Sequence, residues 1–217
     1  DDEPDPREIS IATFALREAT AILTSLLPDT GFATHVRQIM DAIDSANAWE
    51  VTHARSPEKP PNYGNFRRLA DRSLGHALGP VAILYATGKE KDTEHLLTFF
   101  HHYLIAKQLD DDAHDWEKDL ARGHVNAVGA MVLKKNKNKH DSLQEAFWQV
   151  HVDSVAERIM NHAARARRAL RSCSCVTRPS ALLQLLHAHE QAAQMAIKER
   201  DKARVFMKHY AASASGL

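Results

Sequence analysis

The chain has 217 residues, and its 28 lysine and arginine residues balance its 28 aspartate and glutamate residues. This length suits a single domain over residues 1–217, and the neutral balance gives no global basic field to attract nucleic acid. No apolar run reaches the roughly 18 to 20 residues of a membrane span, and the acidic start differs from a signal peptide. We therefore expect a cytoplasmic protein without a transmembrane segment or a nucleic-acid partner. Because the chain starts at Asp1 without a methionine, we also expect that N-terminal helices precede it.

Helix-favouring composition predicts an all-α fold. Long stretches rich in Ala, Leu, Arg, Glu and Gln are separated by only eight glycines and eight prolines. Apolar residues at helical spacing predict a first helix over 9–27 and a second over 32–54. A third helix over 66–87 is expected to break near Leu78, because Gly75, Gly79 and Pro80 lie within its pattern. These residues indicate either a cavity wall or close helix packing.

Three further helices complete the predicted fold. The pattern predicts a fourth helix over 94–122, which ends at Gly123. A lysine-rich loop over 134–139 precedes two long helices over 143–171 and 180–210, and the C-terminal tail is expected to fray. Cys173 and Cys175 lie one residue apart between these last helices, which is too close for an unstrained bridge, and we expect reduced thiols.

The fourth helix carries the main functional signal, a run of six acidic residues within positions 110–119. On a helix, Asp111, Asp115 and Asp119 line one ridge, with Asp112 beside it and Gln108 one turn earlier. Such carboxylates repel one another and destabilise an isolated helix, so either water or a cation must stabilise them. Mg²⁺ prefers oxygen ligands and often shares its coordination with phosphates. The run therefore predicts either a solvated acidic surface or a site for Mg²⁺ and a diphosphate.

This run resembles the second aspartate-rich motif of the class I, all-α isoprenoid synthases. Trans-prenyltransferases carry Q-x-x-D-D-x-x-D, which is matched here by Gln108, Asp111, Asp112 and Asp115. Squalene and phytoene synthases carry Gln, Asn or Asp three residues later, Asp after seven and eleven residues, and then Arg-Gly. The residues that match this second pattern are Gln108, Asp111, Asp115, Asp119, Arg122 and Gly123. The resemblance covers about residues 66–123.

The resemblance implies a helical bundle around a central cavity and Mg²⁺-dependent ionisation of an allylic prenyl diphosphate. Prenyl transfer, condensation or cyclisation through a carbocation would follow, and a homodimer stays open. By resemblance, Asp111, Asp115 and Asp119 are metal ligands, Asp112 supports them, and Gln108 orients the substrate. Arg72 and Arg122 would neutralise diphosphate, Phe99, Phe100 and Tyr103 would line the cavity, and Asp111, Asp115 and Arg72 would be catalytic. The acidic start, with Asp1, Asp2 and Asp5, would be the end of a first metal-binding motif.

Two other interpretations stay open. The adjacent His114 and Asp115 are compatible with a metal-dependent phosphohydrolase of the HD type, with His76 or His101 as an earlier ligand. Alternatively, the chain is a catalytically inactive helical interaction module, for which the lysine-rich loop is a candidate docking patch.

Overall fold

The fold was analysed in a computed structural model that describes residues 6–27, 31–135 and 142–214. All regular structure in these residues is helical, which confirms the all-α prediction. The first five helices are α1 (Pro6–Leu26), α2 (Phe32–His53), α3 (Arg67–Arg72), α4 (Leu78–Ala86) and α5 (Thr93–Ala121). The last four are α6 (Ala127–Lys135), α7 (Leu143–Ala146), α8 (Val152–Ser172) and α9 (Ser180–Ala214). Asp1, Asp2 and Asp5, the expected first motif, lie outside the described residues.

The predicted break in the third helical stretch is confirmed. A short 3₁₀ turn, Leu74–Ala77, separates α3 from α4. Pro80 lies in the first turn of α4, where the missing N–H would have no intrahelical partner. A methyl group on Gly75 would lie 3.6 Å from Ile43, whereas one on Gly79 would meet open space. The chain therefore packs closely against α2 at Gly75, whereas Gly79 has no such neighbour within 4 Å.

Helix α5 is the central element of the bundle, since it packs on α3, α4, α6, α8 and α9. Its first half buries apolar side chains on several sides, including Leu96, Phe99, Phe100, Leu104 and Ile105. The inner face of α8 is rich in alanine, with Ala156, Ala163 and Ala166 buried at helical spacing. Small side chains let the two helix backbones approach closely, and α5 and α8 together form the centre of the core.

The structure adds two helical features that the sequence pattern did not predict. The segment after Gly123 forms helix α6, and the predicted helix over 143–171 contains a π-helical turn, Phe147–His151, between α7 and α8. Phe147 and His151 of this turn are buried. A π-helical turn contains one residue more than an α-helical turn, and here two of its side chains face the core.

Two loops are held to distant helices by hydrogen bonds. The backbone N–H of Val125 donates to the carbonyl of Ala54 at 2.6 Å. In the loop between α8 and α9, the Ser174 hydroxyl and the Cys175 N–H both donate to Asp92 Oδ2 at 2.8 Å. Because Asp92 directly precedes α5, this loop is fixed to the start of the central helix.

Cys173 and Cys175 are free thiols, as predicted. Burial raises the pKa of the Cys173 thiol to about 11, so it stays protonated at neutral pH. In the described ranges, no helix combines the length and the apolar character that a membrane span needs.

Candidate functional site

Asp112 is the buried centre of the acidic run. Its side chain accepts hydrogen bonds from Gln108 Nε2 at 2.8 Å and from the backbone N–H of Ala127 at 2.9 Å. Because Ala127 is the first residue of α6, the carboxylate caps the positive end of that helix. Burial raises the pKa of Asp112 to about 6, although both hydrogen bonds act in the opposite direction.

Asn126 links this cap to Asp119, the last carboxylate of the run. Its side-chain amide donates to Asp119 Oδ2 at 2.8 Å, and its Oδ1 accepts from the Gly129 N–H at 2.8 Å. The residue is buried, and its amide also lies 3.3 Å from the Asp112 carbonyl oxygen. Asn126 therefore fixes the start of α6 against two consecutive turns of α5.

Glu50 of α2 contacts two basic side chains, those of Arg72 and His124, near the C-terminal end of α5. Arg72, the last residue of α3, donates to Glu50 Oε1 at 2.6 Å. His124 Nε2 lies 2.9 Å from the same oxygen, and its other ring nitrogen lies 3.8 Å from Asp119 Oδ2. The hydrogen bond to Glu50 raises the pKa of His124 and so favours its cationic form.

We call this group the polar cluster, and it brings together side chains from α2, α3, α5 and the loop that leads to α6. Its members are Glu50, Arg72, Gln108, Asp112, Asp119, His124 and Asn126. Tyr63 lies at its edge, where its hydroxyl donates to the Val125 carbonyl at 2.8 Å. Burial and the nearby carboxylates raise the pKa of Tyr63. Sequence analysis named four of the seven members and missed Glu50, His124 and Asn126.

The other predicted ligands lie around the rim of this cluster. Lys107 Nζ lies 2.5 Å from Asp111 Oδ2, and both side chains are nearly half exposed. Asp115 is exposed, one turn from Asp119 on the same flank of the helix. Arg122 is also exposed, and its backbone N–H donates to the last turn of α5. The ridge that faces the bundle is therefore Gln108, Asp112 and Asp119, and Asp111 lies about 100° away from Asp112.

The predicted cavity aromatics pack in the core. Phe99 has no exposed surface, and its ring stacks on Tyr103 with centroids 5.9 Å apart. Phe100 meets Phe99 edge-on at 5.3 Å. A largely apolar cleft of about 630 Å³ instead lies between α5, α8 and α9, where Trp116 and Phe147 form part of its wall.

Two neighbouring carboxylates, one at the rim and one in the polar cluster, have the oxygen donors that Mg²⁺ prefers. Asp112 cannot serve as a ligand in this conformation, because it is buried and its oxygens accept from Gln108 and Ala127. Asp115 and Asp119 instead present carboxylates one turn apart with solvent access. Within the described ranges, no three His, Cys, Asp or Glu side chains are grouped to hold a metal ion. Mg²⁺ often takes only one or two carboxylates and completes its coordination with water and substrate phosphates, and this pair offers that number of carboxylates.

The histidines of the phosphohydrolase interpretation do not converge. His101 and His114 lie on the same continuous helix at a separation of about 20 Å, which is too far to share one metal ion. His114 hydrogen-bonds the Asp110 carbonyl of its own helix at 2.7 Å, and His76 is exposed beyond α3.

Comparison with known proteins gives no assignment: the chain matches no protein family, no curated protein and no solved structure.

Proposed function

We propose that the chain is an isoprenoid-synthase-like enzyme that acts with Mg²⁺ on an allylic prenyl diphosphate, through prenyl transfer, condensation or cyclisation. One observation carries the proposal. Glu50 and His124 link Arg72, which lies on a separate helix, to Asp119 in the second half of the acidic motif. An arginine and a carboxylate at one helix end are the two groups that a metal-bound diphosphate requires.

Each group then has a distinct role. Asp115 and Asp119 would hold Mg²⁺, which supplies charge neutralisation on the departing diphosphate when it is bound. Arg72 would donate to phosphate oxygens by turning from Glu50, since its side chain is 36% exposed. Arg122 adds positive charge at the rim, and His124 can donate to phosphate in its cationic form. Asp112, Gln108 and Asn126 hold the end of α5 in position and do not contact the substrate.

Calorimetric binding of farnesyl diphosphate to the whole chain tests the proposal. We expect binding in MgCl₂ that weakens by at least about tenfold in EDTA, because the ion bridges protein and phosphate. The double variant Asp115→Asn, Asp119→Asn should lose the Mg²⁺-dependent part of the affinity. Release of inorganic diphosphate, measured in parallel, reports ionisation.

Glu117→Gln is the matched control, because Glu117 is an exposed acid on the opposite flank of the same helix segment. It should leave binding and diphosphate release unchanged. Equal losses in both variants would show a general effect of negative charge and would refute the site. Binding that is indifferent to Mg²⁺ in the unmodified protein would refute the function.

A helical interaction module is the second candidate, and exposed apolar side chains favour it. Near the end of α9, Val205, Phe206 and Met207 are each more than half exposed. A cleft between this part of α9 and the π-helical turn is lined by Trp148 and Val150. Sedimentation at increasing concentration would detect self-association, and Phe206→Ser would abolish it if this face mediates it.

A further inference from the structure

A pair of histidines that are not members of the polar cluster bridges the two central helices. His102 of α5 and His162 of α8 approach with their Nδ1 atoms 3.1 Å apart. The pair lies at a cleft of about 480 Å³ between α2, α3, α5 and α8. Both rings are partly buried, and both line this cleft.

Two neighbouring side chains of the cleft, Asp71 and His101, are paired with each other. His101 Nε2 lies 3.1 Å from Asp71 Oδ1, and His101 Nδ1 lies 3.0 Å from the Leu97 carbonyl. Arg67 forms a second ion pair with Asp71 at 3.7 Å. The Nδ1 atoms of His102 and His162, by contrast, face each other. Two imidazoles in that arrangement can share just one proton.

Both rings are in the form that metals require. Burial lowers the pKa of His102, and burial with the neighbouring histidine and arginines lowers the pKa of His162 to about 4. At neutral pH both imidazoles are therefore uncharged. The ring that donates the shared Nδ1 proton carries its lone pair on Nε2, so that proton moves to Nε2 before both Nδ1 atoms can bind a metal. A metal ion would not have to displace a bound proton from an imidazolium.

The spacing of the two nitrogens matches a shared metal. A tetrahedral zinc site with Zn–N bonds of roughly 2.0 to 2.1 Å places two ligand nitrogens about 3.3 Å apart. The observed 3.1 Å needs to open by only a few tenths of an ångström. We propose that His102 and His162 together bind a divalent transition metal, Zn²⁺ or Cu²⁺, through their Nδ1 atoms.

Water or a small anion would complete the coordination. In the described part of the chain no third His, Cys, Asp or Glu joins this pair as a metal-binding group. Arg165, which lines the same cleft, repels a bare cation but attracts an anion that is bound to it. The site is therefore open on its cleft side and joins α5 to α8, and it stands independently of the proposed function.

Calorimetric titration of the metal-free whole chain with ZnCl₂ at pH 7.5, in a buffer without phosphate, tests the proposal. We expect one equivalent to bind, and we expect His102→Gln and His162→Gln each to weaken that binding by at least about tenfold. Zinc should raise the melting temperature of the unmodified protein and of neither variant, because it links two helices of the folded state alone.

His114→Gln and His187→Gln are the matched controls, since the structure places both side chains mostly in solvent. They should leave the one-equivalent binding intact. X-ray absorption of the zinc-loaded, unmodified chain gives a test that needs no variant, and it should show two imidazole nitrogens with the remaining ligands oxygen. Absence of one-equivalent binding, loss of it in the controls, or a zinc shell with no imidazole pair would overturn the proposal.

Discussion

The two halves of α5 bury polar groups in different ways. In the second half, Asp112 is surrounded by donors from α5 and the start of α6. In the first half, His102 meets a single partner of its own kind, His162. The former arrangement holds an acidic group through two hydrogen bonds, whereas the latter keeps two rings neutral. The comparison shows that one helix can contribute both to a hydrogen-bonded acidic centre and to a contact between two imidazoles.

The largest effect on the free energy of unfolding is expected from the loss of the Asp112 carboxylate. Asp112→Ala would leave the Ala127 N–H and the Gln108 amide without their acceptor inside the protein. We expect the free energy of unfolding to fall by about 3 kcal/mol, as measured by urea denaturation. Asp115→Ala, one turn away and exposed, should change it by less than about 0.5 kcal/mol. Similar losses in the two variants would show that Asp112 does not organise the cluster.

The buried groups in the two halves of α5 should change the stability of the protein in opposite directions as the pH changes. The pKa of Asp112 is about 6 in the folded state, whereas an unfolded aspartate titrates near 3.8. Between these values the folded state binds more protons, so its stability falls as the pH rises, by about 2 to 3 kcal/mol in total. The difference in unfolding free energy between the unmodified chain and Asp112→Asn, measured from pH 3.5 to 7, should follow this decline. A difference that stays constant with pH would contradict the raised pKa.

The histidine pair should show the opposite slope. Because the pKa of His162 is lowered to about 4 from 6.5, the unfolded state binds more protons between these values. Stability should therefore fall as the pH falls from 6.5 towards 4. Partial exposure screens the effect, and we expect about 1 to 2 kcal/mol. Metal-free His162→Gln should lack this contribution in the same titration, and a slope of the same sign as that of Asp112 would contradict the assignment.

The smallest effect is expected at the rim of the acidic run. Lys107 and Asp111 form an ion pair one turn apart, and each side chain is close to half exposed. Asp111→Ala should cost no more than about 0.5 kcal/mol, because solvent and salt screen such pairs. Urea denaturation at low and at high salt should show the loss shrinking as salt is added. A salt-independent loss as large as that of Asp112→Ala would remove the distinction between rim and cluster.

Periodicity predicted the main helices because each long helix has an apolar face that the core must bury. Helix α6 was not predicted, since its segment is short and its cap comes from Asp112, which the chain order places in another helix. The pairing of His102 with His162 likewise depends on the packing of α5 on α8, which no local pattern encodes. Glu50 and Arg72 meet for the same reason.

The orientation of the acidic run could have been predicted more closely. Motif spacing places Asp111 with Asp115 and Asp119, and gives Asp112 a supporting role. Leu109 and Trp116, however, lie within about 60° of Asp112 around the helix, and both are buried. These apolar neighbours indicate that Asp112 points inward, which is where the structure places it. Metal ligation and catalysis by the acidic residues stay predictions.

The two loops that are held to distant helices should behave unusually in amide hydrogen exchange. Loop amides normally exchange within seconds, but the N–H groups of Val125 and Cys175 are bonded to Ala54 and Asp92. Neither bond can open unless the loop separates from the helical body. These two positions should therefore exchange as slowly as the helical core, and they would report the opening of the whole bundle from outside its helices.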